Sequence, residues 1–190
     1  MTGIKRTRKG LVVSFDEVEA SLLRHLVGEV RDLLADADPD PDAPPPARPA
    51  AGLPSDAELA ALTGLGGGDR DRPDDPALAR LLPDGYRDDP DAAGEFRRLT
   101  EASLRRDKVA AAERLLAALP ARGPGEVRLD ADGTEGWLST INDVRLALGT
   151  RLEVTEEMAE PDPEDPDAPA YVVYLWLTEL QGVLIEVADG

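Results

Sequence analysis

The sequence predicts an α+β domain that is mainly α: a helical bundle of about five helices with a small antiparallel sheet, an N-terminal hairpin plus one strand. Three observations predict it. Apolar residues recur every three or four positions over the long segments. Strand signals are confined to short runs, a hairpin within residues 4–15 and an alternating stretch at 126–129. The chain has 190 residues, enough for one domain, so 1–190 is read as a single unit.

Ile4 to Arg8 and Leu11 to Phe15 flank Gly10 and read as a β-hairpin. Ser14-x-x-Glu17 and Asp16-x-x-Glu19 each fit a capping box, so a helix starts there. Val18, Leu22, Leu26, Val30 and Leu33 then form one apolar stripe to about Ala35. Residues 37–54 read as an acidic, Pro-rich linker and Ser55-x-x-Glu58 as the cap of a short helix ending at Gly64 to Gly68. Asp75-Pro76 opens a second short helix ending near Leu82, with Pro83-Asp84-Gly85 as a turn. Asp89 as N-cap and Pro90 at the first helical position start the longest helix, to about Leu119. Its buried side is expected to be Phe96, Leu99, Val109, Ala112, Leu116 and Leu119, and Arg97, Arg98, Glu101, Arg105, Arg106 and Asp107 its wet side. Glu126 to Leu129 reads as the third strand and Asp130 to Gly133 as a turn. Thr134 caps a helix with the stripe Trp137, Ile141, Val144 and Leu148 and Gly149 as its left-handed C-cap. Residues 156–169 read as a second acidic loop. Val173, Leu177, Leu180, Leu184 and Val187 follow a 4-3-4-3 spacing, and Trp176, Leu175 and Val183 widen that arc, which predicts the central helix of the core.

The net charge is -18, from 39 acids against 21 bases, and the acid is concentrated. Residues 36–91 carry a balance of -9 and residues 153–170 a balance of -8, with 15 of the 17 prolines. Pro and charge at that density leave little apolar surface to offset ordering. No residue is cysteine, which excludes disulfides, thiolate metal sites and thiol chemistry. A lone histidine, His25, excludes metal sites that need two imidazoles; with Glu29 one turn on, it reads as an ion pair at the surface or its boundary. The longest apolar run, Ala170 to Leu177, is eight residues, against about 20 for a membrane-crossing helix. The expectation is a cytoplasmic chain with no membrane partner, its oligomeric state left open.

Catalytic motifs are nearly absent, and no catalytic residue, cofactor or metal is assigned. Gly64 to Asp69 lacks the Lys-Ser/Thr of a phosphate loop, and Asp130-x-Asp132-Gly133 has Glu135 where a calcium loop requires Gly. Asn142, Asp143 and Arg145 are the candidates for a structural or partner-contact site. At 100° per residue Arg145 falls inside the apolar stripe, Asp143 points away and Asn142 lies at the edge. A guanidinium facing the core requires a carboxylate or carbonyls from another element, and the plain structural reading is a buried ion pair. Lys5, Arg6, Arg8 and Lys9 form the one dense basic patch. It serves as an arm for nucleic acid or as a charged edge strand that resists pairing, and no aromatic stacking platform accompanies it. With acidic loops elsewhere, tight direct DNA binding is not expected.

Three longer phrases, Asp74 to Lys108, Trp137 to Val154 (WLSTINDVRLALGTRLEV) and Tyr171 to Leu184 (YVVYLWLTELQGVL), resemble the actinobacterial AosR family, long catalogued as a domain of unknown function. The resemblance runs over nearly the whole chain from Gly10 onward. It implies a regulator of oxidative-stress transcription that acts on a sigma factor or RNA polymerase by protein contact rather than as an enzyme. The family's usual gene neighbours, a Clp protease adaptor among them, imply an alternative as an accessory factor for regulated proteolysis. A third reading is small-molecule binding at a pocket beside Arg145. One departure stands out: without cysteine, this chain has no disulfide with which to sense redox state.

Overall fold

The computed structural model describes residues 3–35, 75–83, 90–155 and 164–190. The linker at 37–54, the short helix capped by Ser55, the Asp84-Gly85 turn, the Asp89 cap and the side chains of Phe96, Arg97 and Arg98 lie outside the described residues. Three strands, β1 (Gly3–Thr7), β2 (Gly10–Phe15) and β3 (Gly125–Leu129), form one antiparallel sheet in the order β1-β2-β3. Among the described residues five helices accompany it: α1 (Glu17–Ala35), α2 (Pro76–Leu81), α3 (Pro90–Ala118), α4 (Ala131–Arg151) and α5 (Ala168–Asp189). The mainly helical α+β class read from the sequence is the one observed. Helix α5 begins inside the stretch read as an acidic loop.

Pairing sets Ile4 opposite Val13 and Val13 opposite Val127, so one sheet face is apolar except for Arg6 of β1, which sits opposite Leu11. Leu11, Val13, Phe15, Val127 and Leu129 on that face are buried, and Phe15 meets Trp137 of α4 with ring centroids 5.8 Å apart. Gly10 sits at φ +116, and a Cβ there would lie 1.9 Å from the Leu129 carbonyl oxygen. Only glycine lets β2 start this close to the end of β3.

Local signals account for the starts of α1, α2 and α4. The Asp16 box closes reciprocally: the Glu19 N–H donates to Asp16 Oδ1 at 2.9 Å and the Asp16 N–H to Glu19 Oε2 at 3.0 Å. That first bond is the main cause holding the Asp16 carboxyl below its ordinary value. Asp75 Oδ1 caps α2 by accepting from the N–H groups of Ala77 and Leu78. At residue 130 the sequence reading needs correction. Asp130 is not in a free-standing turn but is the N-cap of α4, accepting from the Gly133 N–H at 2.8 Å, so the helix starts three residues before Thr134. Gly149 is likewise not a C-cap. The helix runs past it and closes with Glu153 at φ 51, whose N–H donates to the Thr150 carbonyl while the Val154 N–H donates to that of Gly149. Gly149 instead admits Tyr174, which would lie 3.1 Å from a Cβ there.

Buried faces were less legible. On α1 the inner side is Leu23, Leu26, Val27, Val30 and Leu34, while Val18 is 55% exposed and Leu22 and Leu33 are half-buried. The helix is packed between α3 on one side and α4 with the sheet on the other, which rotates the buried arc away from the single stripe. His25 is carried inward with it and is buried rather than superficial. On α3, Leu115 joins Ala112 and Leu119 in the core, whereas Leu99 is 68% exposed and Arg105 and Glu101 are half-buried. The central helix is α4, in contact with α1, α2, α3, α5 and β3; α5 packs on α4 and the sheet and leaves a whole side outside. By length and composition alone, α5 is long and apolar enough to cross a membrane, but Ala170, Val173, Leu177, Leu180 and Leu184 on it are buried in the bundle.

Candidate functional site

Because neighbours surround α4, its polar side chains meet partners in several directions. Asp143, read from periodicity as pointing outward, is buried: α3 covers that side of α4, and Lys108 Nζ reaches Asp143 Oδ1 at 2.5 Å. Burial pushes the Asp143 carboxyl above its ordinary value, against the opposing pull of the Lys108 ammonium. Loss of hydration therefore outweighs the pairing. Asn142 is half-buried beside it.

Arg145 does face a neighbouring element, as its position required, but it finds no carboxylate there. Its Nε donates to Thr178 Oγ1 at 3.0 Å and its Nη1 to Gln181 Oε1 at 2.5 Å, both on α5, while the guanidinium lies 5.5 Å from the Tyr174 ring centroid. The expected buried ion pair is thus corrected to a clamp of neutral acceptors plus an aromatic face, feasible because Arg145 is only half-buried. Arg151 at the end of α4 binds Asp75 Oδ2 at 2.5 Å, so one carboxylate both caps α2 and ties it to α4.

The N-terminal bases divide into two kinds. Arg6 points back along the fold: its Nη1 donates to the Val187 carbonyl at 3.2 Å and the Ala188 carbonyl at 2.8 Å, capping α5 from β1. Lys5, Arg8 and Lys9 are exposed, and among the described residues none of them forms an ion pair. Two further arginines repeat the Arg6 device. Arg24 donates to the carbonyls of Leu116, Leu119 and Pro120 at the end of α3, and Arg105 to that of Leu34 at the end of α1. None of α1, α3 and α5 carries a base in its own last turn.

Lys108, Thr178, Gln181 and Tyr174 were not anticipated. One signal pointed to Lys108: the chain has three lysines among 21 bases, and the other two lie in the N-terminal patch. Thr178 and Gln181 gave none, being ordinary polar residues on a helix read for its apolar side.

These seams lie within the span of a described family. The Domain of unknown function DUF2017 matches residues 1–188. The Oxidative stress regulator AosR of Mycobacterium bovis is 38% identical over 186 residues, covering 90% of this chain and 79% of that protein. The protein of the same name from Mycobacterium tuberculosis H37Rv matches to the same extent. The chain belongs to the AosR family. No solved structure matches. The DUF2017 match takes in every described element but the last residue of α5.

Proposed function

We propose that this AosR-family chain is a non-enzymatic, cytoplasmic regulator of oxidative-stress transcription that works by protein contact with a sigma factor or RNA polymerase. One observation supports contact over chemistry: the most conspicuous polar groups are used on one another. Lys108 and Asp143 join α3 to α4, Arg145 joins α4 to α5, and Arg151 joins α4 to α2. A small-molecule site beside Arg145 required that guanidinium to be unpaired, whereas two of its nitrogens donate to α5. The names of the curated relatives supply the regulatory half of the reading. With no cysteine, the contact is made without a thiol switch in this chain.

The test is gel filtration of the purified chain with RNA polymerase core and with holoenzyme, beside a mobility-shift assay on promoter DNA. Co-elution with polymerase is expected, and no retention of DNA by the chain alone below about 10 μM at about 0.15 M salt. Tight, sequence-selective DNA binding by the chain alone would refute the proposal and move the functional site to Lys5, Arg6, Arg8 and Lys9.

A further inference from the structure

Helix α5 has two working sides, and the bundle uses one. Opposite the buried residues, Val172, Leu175, Glu179, Gly182 and Glu186 follow one another by three and four positions, which sets them along one outer stripe. Val172 is 63% exposed and Leu175 42%, and Glu179, Gly182 and Glu186 are all exposed. Half-buried Trp176 flanks the apolar end. From Ala168 to Asp189 the helix carries no lysine or arginine. Along this stripe the apolar residues come first and the acids second, with Ile185, also exposed, flanking the acidic end.

That polarity selects the occupant. A second copy in parallel would set Glu179 and Glu186 against themselves, and an antiparallel copy avoids this only by shifting to the Val172–Leu175 end, where two exposed apolar residues from each copy are all that meet. A chain of net charge -18 also repels its own kind. An anionic lipid surface meets two glutamates and no base. We propose that the outer face of α5 is the docking surface for a basic amphipathic helix of a protein partner. The partner's apolar end packs on Val172 and Leu175, and its Lys/Arg end pairs with Glu179 and Glu186. This rests on the reading of the chain as a protein-contact regulator and names the surface and the partner's chemistry.

Gly182 makes the proposal testable without damage to the fold. A Cβ at Gly182 meets nothing within 4 Å, and a glycine inside a helix is a poor helix former, so Gly182→Arg keeps the helix while placing bulk and positive charge in the stripe. The probe is a fluorescein-labelled helical peptide of about 20 residues, with leucines on one half of its seam and arginines on the other. Its twin has glutamate for every arginine. The parent chain should bind the arginine peptide at least about tenfold tighter than the twin, and more weakly as salt is raised. Gly182→Arg and the Glu179→Lys/Glu186→Lys double variant should each lose about tenfold or more with thermal midpoints no lower than the parent's. Undiminished binding by Gly182→Arg would overturn the proposal. So would a parent dimer that Gly182→Arg dissolves, or retention of the parent on phosphatidylcholine vesicles. The same variants in the polymerase co-elution assay separate the two readings. If the parent fails to co-elute, the regulatory contact falls; if the variants co-elute as well as the parent, the α5 assignment alone falls.

Discussion

Replacing Lys108 with methionine should destabilise the chain in a way that depends on pH. In the native protein the Asp143 side chain is 7% exposed and that of Lys108 17%. Lys108→Met keeps most of the stem's packing and removes the charge, leaving a buried carboxylate with its ion-pair partner gone. The cost at pH 7 should be about 3–5 kcal/mol. The sign of the pH dependence follows from the direction of the existing shift. Asp143 already has a folded pKa above its ordinary 3.8, because burial outweighs the ammonium. A carboxyl raised on folding contributes stability that is full below its unfolded value and is lost as pH rises through the folded one. Without Lys108 the folded value rises further, so the deficit of the variant against the parent should be largest at pH 7–8 and shrink steadily toward about pH 5. Asp143→Asn should be the milder change, since Lys108 is near enough to the surface to extend its ammonium into water. Urea unfolding followed by Trp137 and Trp176 fluorescence, from pH 5 to 8, measures both. A Lys108→Met deficit that does not vary with pH, or one below about 1 kcal/mol at pH 7, would refute the argument that Asp143 is a desolvated anion.

Three further substitutions read other parts of the structure. Arg145→Ala should cost about 1–2 kcal/mol in urea unfolding, the worth of two hydrogen bonds to neutral acceptors and an aromatic contact; about 3 kcal/mol or more would show that it leaves a buried acid behind. Glu153→Gly should raise stability by about 1 kcal/mol, because Glu153 holds φ 51 and is exposed, and a lowered thermal midpoint would contradict the C-cap assigned there. Gly10→Ala should cost at least about 3 kcal/mol from its φ and its collision with Leu129, and a near-parental midpoint would mean that β2 and β3 do not approach as described.

Where helices begin was legible because capping is local. Asp16 with Glu19 and Asp75 with Pro76 are complete signals within four residues of chain. The inner side of α5 was legible for a related reason: it packs in one direction only, so one stripe suffices. The α4 stripe Trp137, Ile141, Val144 and Leu148 is buried as read, but the side of α1 was read only in part and the further buried positions of α4 not at all, since each helix has neighbours on several sides and its buried arc depends on where they lie. Asp143 shows the consequence. Periodicity places it opposite the stripe, and only the arrival of α3 with Lys108 turns that position into interior. Asp130 was misread because Asp-x-Asp-Gly fits a turn and a helix start equally well until the next element is placed.

The borrowed arginine caps order the assembly in time. Arg24 awaits the end of α3, more than ninety residues further along the chain, and Arg6 awaits the last turn of α5, more than 180 residues on. On the ribosome, β1 and α1 emerge long before the carbonyls they are to bind, and they stay labile until those arrive. Completion of the fold should therefore come late, with the end of α5. A chain halted before residue 187 leaves Arg6 without its acceptors. Nascent-chain proteolysis should find no protease-resistant intermediate of the N-terminal half, only a single gain of resistance once α5 has cleared the exit tunnel.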